Sequence, residues 1–315
     1  MKPIGRIVIA LLLTWVLCSL AFELAQKGLN SYSKYSTEKM EEVFQKHTPY
    51  DLVYFGSSSV HQFINPHIVD SICGSHSFNA GMDGANILEI NMVFEAYLET
   101  HTAPKEMLLT LDLTSFDLRR KFYKYFIYFP FRKNTIVNKN LNQYWPKYRL
   151  YQLFPFLLFT ELDDYLRSNC LKGYQGKLEL PANCLAYNGF LSNTPRVLTP
   201  GDTAIPYSTL IENEEGLHIL RGLIVLCKQK KIHLTITTAP EYNRLYQNHS
   251  IHSKKIFDDI SEIARSEKIT LLRQDSLAFC RHPEFFINIE HLNLAGAIEY
   301  SKLIGTQYLN IEGCH

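Results

Sequence analysis

The chain has 315 residues, 46% hydrophobic and 20% charged, which is ordinary for a globular protein and allows one large domain or two small ones. Its 32 basic and 31 acidic side chains leave a net charge of +1, so it lacks the electrostatic footprint of a nucleic-acid partner. Seven cysteines (18, 73, 170, 184, 227, 280 and 314) show no CxxC or Cys/His ligand spacing, which argues against a zinc site and a dense disulfide framework; Cys170 and Cys184 form the one nearby pair, bridged or free.

The first element is apolar. "IVIALLLTWVLCSLAF" (7–22) carries no charge, follows Lys2 and Arg6, and ends at Glu23. Its 16 residues fall a little short of the roughly 20 that a membrane span prefers. Ser19-Leu20-Ala21 has the small-x-small pattern of a cleavage site. Residues 1–25 are therefore expected to be a retained membrane anchor, or a signal peptide removed after Ala21. With Lys2 and Arg6 held inside, the rest of the chain is expected outside the cytoplasm.

Residues 26–50 read as a linker with an amphipathic stretch around Thr37 to Phe44. Strand and helix then alternate. "DLVYFG" (51–56) is a short strand closed by glycine, "HSFNAG" (76–81) a second, and "EMLLTLDLTSF" (106–116) a third that is apolar on both faces. Residues 116–208 form a long insertion crowded with aromatics, "KFYKYFIYFPFRK" and "WPKYRLYQLFPFLLFTELDDYLRSN", flanked by basic side chains. It is expected to be helical and to form a cap. Its aromatics either pack on the core or face a substrate or membrane. Beyond it, "GLHILRGLIVLCKQKKI" (216–232) has helical spacing and leads into the strand "HLTITTAP"; "SKKIFDDISEIARSEK" (253–268) is an amphipathic helix leading into "ITLLRQ". A last helix starts after the capping residue Asn293. Strands separated by helices predict an α/β fold, a three-layer α/β/α sandwich around a mostly parallel sheet spanning residues 51–315.

Ligand chemistry in such sheets lies outside the carboxyl ends of the strands. "GSSS" (56–59) leaves the first strand at that edge, which makes Ser57 and Ser58 candidates, although serines after glycine also serve as plain turn residues. A serine nucleophile needs a base. His291, just before the cap of the last helix, could reach it across the rim, with Asn288 three residues earlier.

"FGSSS", "FNAGMDG" (78–84) and "NIEHLNLAG" (288–296), in that order, resemble the nucleophile, second and histidine blocks of the SGNH/GDSL esterases and acyltransferases, particularly their membrane-anchored extracytoplasmic branch. The likeness runs from about residue 51 to the end, with a long unmatched middle. It implies a flavodoxin-like sheet, Ser58 as nucleophile, His291 as base and Asn288 as the residue orienting it. It also implies the backbone N–H groups of Ser58 and Gly81 as oxyanion donors, with Asn79 shaping that loop.

Two positions depart from the family. Asn288 stands where an aspartate is usual, which removes the charge behind the imidazole, and Glu290 could substitute only if turned inward. No G-x-N-D block follows the third strand; "LDLTSFD" offers Asp112, Thr114 and Ser115 instead. The resemblance implies an ester hydrolase or O-acyltransferase acting on acylated carbohydrate or an envelope polymer, needing no cofactor or metal, with a membrane-bound acyl donor as a partner. The alternative is a catalytically degenerate relative that binds a glycan or mediates assembly.

Overall fold

In the computed structural model, residues 3–123, 125–179, 185–199, 202, 214–242, 251–275 and 277–312 are described. Cys184 and much of 200–213 lie outside them, and so does the Cys170/Cys184 pair. The chain divides into two compact units, one made of residues 1–41 and 124–182, the other of 42–123 and 183–315.

Five strands carry the second unit: β1 (Leu52–Phe55), β2 (Ser77–Asn79), β3 (Glu106–Leu111), β4 (His233–Thr238) and β5 (Thr270–Leu272). They pair in the order β2-β1-β3-β4-β5, and every pairing is parallel. That is the flavodoxin-like order, whose strand direction of travel reverses between β1 and β3.

Alternation along the strands explains the two helical layers, because successive side chains point to opposite faces. Leu52, Tyr54 and Leu108 face one way and join a buried cluster with Val69, Tyr300 and Ile304. Phe55 points the other way, its ring edge-on to Phe94 at 5.3 Å and to Tyr97 at 5.9 Å, and Met107 Sδ lies 3.7 Å from Cys227 Sγ. A strand apolar on both faces, as β3 is, fits a central position covered on both sides.

The helices begin at polar caps. After α1 (Pro3–Tyr32), α2 (Lys34–Gln45) and the single turn α3 (Ser58–His61), Asn65 caps α4 (Pro66–Cys73) by accepting from His67 N–H, with Pro66 in the first turn. Asn86 caps α5 (Ile87–Thr100), accepting from Leu88 and Glu89 N–H. After α6 (Thr135–Tyr144), α7 (Tyr148–Leu153), α8 (Asp164–Tyr174), α9 (Glu214–Lys230) and α10 (Ile251–Glu267), Asn293 accepts from Gly296 N–H at 2.9 Å and starts α11 (Leu294–Glu312). The α4/α11 and α5/α9 pairs cover opposite faces of the sheet, so the unit is the expected α/β/α sandwich.

The first unit is helical. It comprises α1, α6 to α8, most of α2 and a 3-10 segment at Pro155–Glu161. Helix α1 is long and apolar enough to cross a membrane, with a mean hydropathy of 2.4 over its most apolar window.

Candidate active site

The chain leaves β1 through Gly56, where a Cβ would stand 2.4 Å from Val60 Cγ2 and 2.8 Å from Thr110 O, so the turn closes only without a side chain. Three serines follow, with different surroundings. Ser57 caps the turn α3, and both Ser57 and Ser59 are buried. Ser57 Oγ donates to Asp112 Oδ2, and Ser59 Oγ donates to the same oxygen at 3.2 Å. Only the middle hydroxyl turns away. Ser58 Oγ lies 2.9 Å from His291 Nε2, across 233 positions of sequence.

Asn288 fixes the imidazole. Its Oδ1 accepts from Glu290 N–H at 2.9 Å and His291 N–H at 2.8 Å, and lies 3.2 Å from His291 Nδ1. Two backbone donors identify that atom as the oxygen of the amide, which can only accept. Nδ1 therefore carries the ring proton, and the lone pair of Nε2 faces the Ser58 hydroxyl. Burial pulls the imidazole below its usual pKa, against the opposing pull of the Asp83 and Asp112 carboxylates. A neutral ring in this tautomer can take a proton from Ser58.

Asp112 follows β3 at its carboxyl end. Besides the two serine hydroxyls it accepts from Thr114 Oγ1 at 2.7 Å, Ser115 N–H at 2.9 Å and Ser115 Oγ at 3.0 Å. Glu290 is partly buried; desolvation, with the Asp112 charge adding to it, pushes its pKa up to about 7.

A cavity of about 350 Å³ opens over this group, walled by residues that follow β1, β2, β3 and β4 and by the loop before α11. Ser58, Gln62, Asp83, Gly84, Asp112, Thr114, Glu241, Glu290 and His291 line it; four of these are carboxylates, and among the described residues no lysine or arginine lines it. Its position at the carboxyl edge is the one that parallel sheets reserve for ligands.

The sequence-derived site residues fall into two groups. Ser58, His291 and Asn288 form one hydrogen-bonded line, and Glu290 stands beside it on the cavity wall. Asn79 and Gly81 sit beneath. Asn79 Nδ2 donates to Val60 O and Ile64 O, both at 2.7 Å, and its Oδ1 takes the Gly81 N–H at 3.0 Å. The Gly81 N–H expected at an oxyanion is thus spent inside the loop, because the Asn79 side chain turns back on it. Gly84, the second glycine of "FNAGMDG", lines the cavity instead, with φ +68°. His61 is buried, its Nδ1 lying 3.3 Å from Gly189 O.

Sequence reading passes over Gly84, Asp83 and Glu241, and leaves Asp112 without a role. The available signal was positional, since each follows a strand at its carboxyl end. Among the described residues no group of three or more His, Cys, Asp or Glu side chains could hold a metal ion.

No protein-family model and no curated protein matches the chain. Several solved structures are similar to it, among them these two. One, provisionally described as a lipolytic protein of the G-D-S-L family from Desulfitobacterium hafniense DCB-2, aligns with 10% identity and a TM-score of 0.38 over 82% of this chain and 98% of its own. The other, provisionally described as a platelet activating factor from Streptococcus pneumonia, aligns with 14% identity and a TM-score of 0.41 over 96% and 99%. Superpositions this loose say nothing of activity. The strands of this chain run parallel in the flavodoxin-like 2-1-3-4-5 order, with a serine turn after β1 and a histidine loop before the last helix.

Proposed function

We propose that the protein is an SGNH-type serine esterase or O-acyltransferase, anchored by α1 and acting outside the cytoplasm on acylated carbohydrate or an envelope polymer. The observation that carries this reading is the 2.9 Å approach of Ser58 Oγ to a His291 ring whose tautomer Asn288 sets.

Ser58 Oγ attacks the ester carbonyl while its proton passes to His291 Nε2. The carbonyl π electrons move onto oxygen, and the N–H group of Ser58 receives that charge, such a donor being worth about 3 kcal/mol in comparable sites. Collapse breaks the acyl C–O bond, and the leaving alkoxide takes the proton from His291. Water completes hydrolysis by attacking the acyl-serine while His291 again takes a proton; the acyl–Oγ bond then breaks and His291 returns the proton to Ser58 Oγ, and a sugar hydroxyl in place of water completes transfer. A wall of carboxylates and hydrogen-bonding side chains suits a neutral, hydroxyl-rich substrate and repels an anionic one.

Asn288 favours a second reading, a degenerate site that binds glycan without turnover, because no charge stands behind the ring. A fluorophosphonate probe separates the two. Labelling of the folded chain at Ser58, lost in Ser58→Ala together with hydrolysis of a short acyl ester, is the expected result. A folded chain that neither labels nor hydrolyses such esters supports the binding reading.

A further inference from the structure

Helix α1 is not bare along its whole length. Residues 3–17 stand almost entirely exposed, whereas from Cys18 onward the helix packs into its own unit. One contact reaches further toward the amino end. Trp15 Nε1 donates to Leu153 O at 2.9 Å. Leu153 ends α7, and the Pro155–Glu161 segment returns from there, so residues 148–161 form a hairpin lying along α1. Phe22 meets its return arm, ring to ring with Phe159 at 6.3 Å, and stands edge-on to Phe129 at 6.1 Å.

The depth of the tip follows from helix geometry. Glu23 is the first charge after Arg6, and Trp15 precedes it by eight residues. At 1.5 Å per residue, the Leu153 carbonyl lies about 12 Å along α1 from that charge, level with the apolar run. The outward face of the hairpin matches this surrounding. Tyr148 and Tyr151 point inward and are buried, while Leu150, Leu153 and Phe154, at helical spacing, point outward with exposures of 45%, 64% and 38%. Three large apolar side chains turned outward on a short helix suit a non-aqueous neighbour. Lys147 lies exposed at the base of the hairpin and pairs with Glu161 at 2.8 Å, and Arg149 is exposed next to Leu150. An apolar tip beneath a charged collar is the arrangement that seats a segment at a bilayer interface.

We infer that the 148–161 hairpin is a second membrane contact, its tip of Leu150, Leu153 and Phe154 seated in the acyl-chain region of the leaflet nearer the carboxyl end of α1. The occupant is the bilayer that α1 enters, because the apolar surface of the tip is continuous with that of the helix at Trp15. This inference rests on the anchoring proposed for α1. A span of 16 uncharged residues, a little short alone, thereby gains a second apolar segment in the same leaflet.

The test uses the full chain in phospholipid nanodiscs, with a nitroxide introduced by Leu150→Cys and Phe154→Cys as separate variants, each read against the labelled parent chain. Asn142→Cys, at an exposed position of α6, serves as the aqueous reference and Leu11→Cys as the membrane reference. At 150 and 154 the nitroxide is expected to be shielded from a water-soluble nickel relaxant about tenfold relative to 142 and to be relaxed by oxygen as at 11, as for a segment held about 5–10 Å below the headgroups. Positions 150 and 154 as open to nickel as 142, with 11 in lipid, overturn the inference while leaving the anchor intact. Nickel access at 11 overturns both. A variant that fails to fold leaves the other to decide.

Discussion

At the serine corner of the site, two flanking hydroxyls are tied to a carboxylate; at the histidine corner, the ring and its loop are tied to a neutral amide. In a Ser-His-Asp triad the negative charge stands behind the imidazole and stabilises the imidazolium. Here Asn288 supplies direction without charge, and the charges that favour a protonated ring, Asp83 and Asp112, act from the cavity side. Geometry and electrostatics, joined in one residue in the triad, are divided between two corners.

The largest effect separates the three serines. Ser58→Ala should lower kcat/KM for a short acyl ester by at least about 10³-fold. Ser57→Ala and Ser59→Ala should cost each turn about 1 kcal/mol of stability, read by denaturant melts, and keep activity within about tenfold. Equal loss at all three would show that the corner acts through structure alone.

Asp112→Asn tests where the charge comes from. It keeps most of the acceptor capacity and removes the carboxylate charge. Activity should fall roughly 10- to 100-fold, about 1.4 to 2.7 kcal/mol, and the acid limb of the pH profile should move lower because the ring loses a favourable neighbour. An unchanged limb would exclude Asp112 from the electrostatics of His291.

Asn288→Asp reunites charge with direction. The carboxylate keeps both backbone N–H bonds, so the loop should hold, while the imidazole pKa should rise and the rate with it, by roughly tenfold. In the parent chain burial holds the ring below its ordinary value of 6.5, so the neutral base persists to lower pH and the acid limb should have its midpoint under 6.5. Asn288→Asp should shift that midpoint upward, and pH–rate profiles of the two proteins make the comparison.

The last effect is on stability and leaves the catalytic line intact. Glu290 ionises in the folded chain near pH 7 and in the unfolded chain near 4.5, so the folded state holds its proton more tightly. That contribution is full below pH 4.5 and is lost as the pH rises through about 7. Glu290→Gln carries no such dependence. Relative to the parent its unfolding free energy should rise between pH 5 and pH 8, by an amount on the order of 1 to 2 kcal/mol after discounting for partial exposure, read by denaturant melts at the two pH values. A constant difference across that range would mean that Glu290 is solvated like a surface carboxylate.

The sheet was largely legible because burial on two faces leaves apolar runs such as "MLLTL", and because Asn293 marks the start of the last helix; the caps at Asn65 and Asn86 emerged only from the structure. Ser58 and His291 were legible as residue types at a strand end and before a helix. The identity of the glycine on the cavity wall was not. Gly81 and Gly84 share one block, and the difference lies in where the Asn79 side chain turns, which spends one N–H and leaves the other glycine beside the cavity. Asp112 was equally silent, since an aspartate after a strand reads as a helix cap until the serines of another loop arrive to share it.

Taken alone, the amino-acid order determined the α/β alternation, the apolar first helix and the three short blocks where chemistry gathers, all set by local periodicity, charge and backbone preference. Tertiary structure alone decided which of three adjacent hydroxyls meets the imidazole, that four carboxylates ring one cavity, and that residues 124–182 join α1 in one unit. Those outcomes depend on contacts between positions far apart in the chain, and such contacts leave no repeating trace along it.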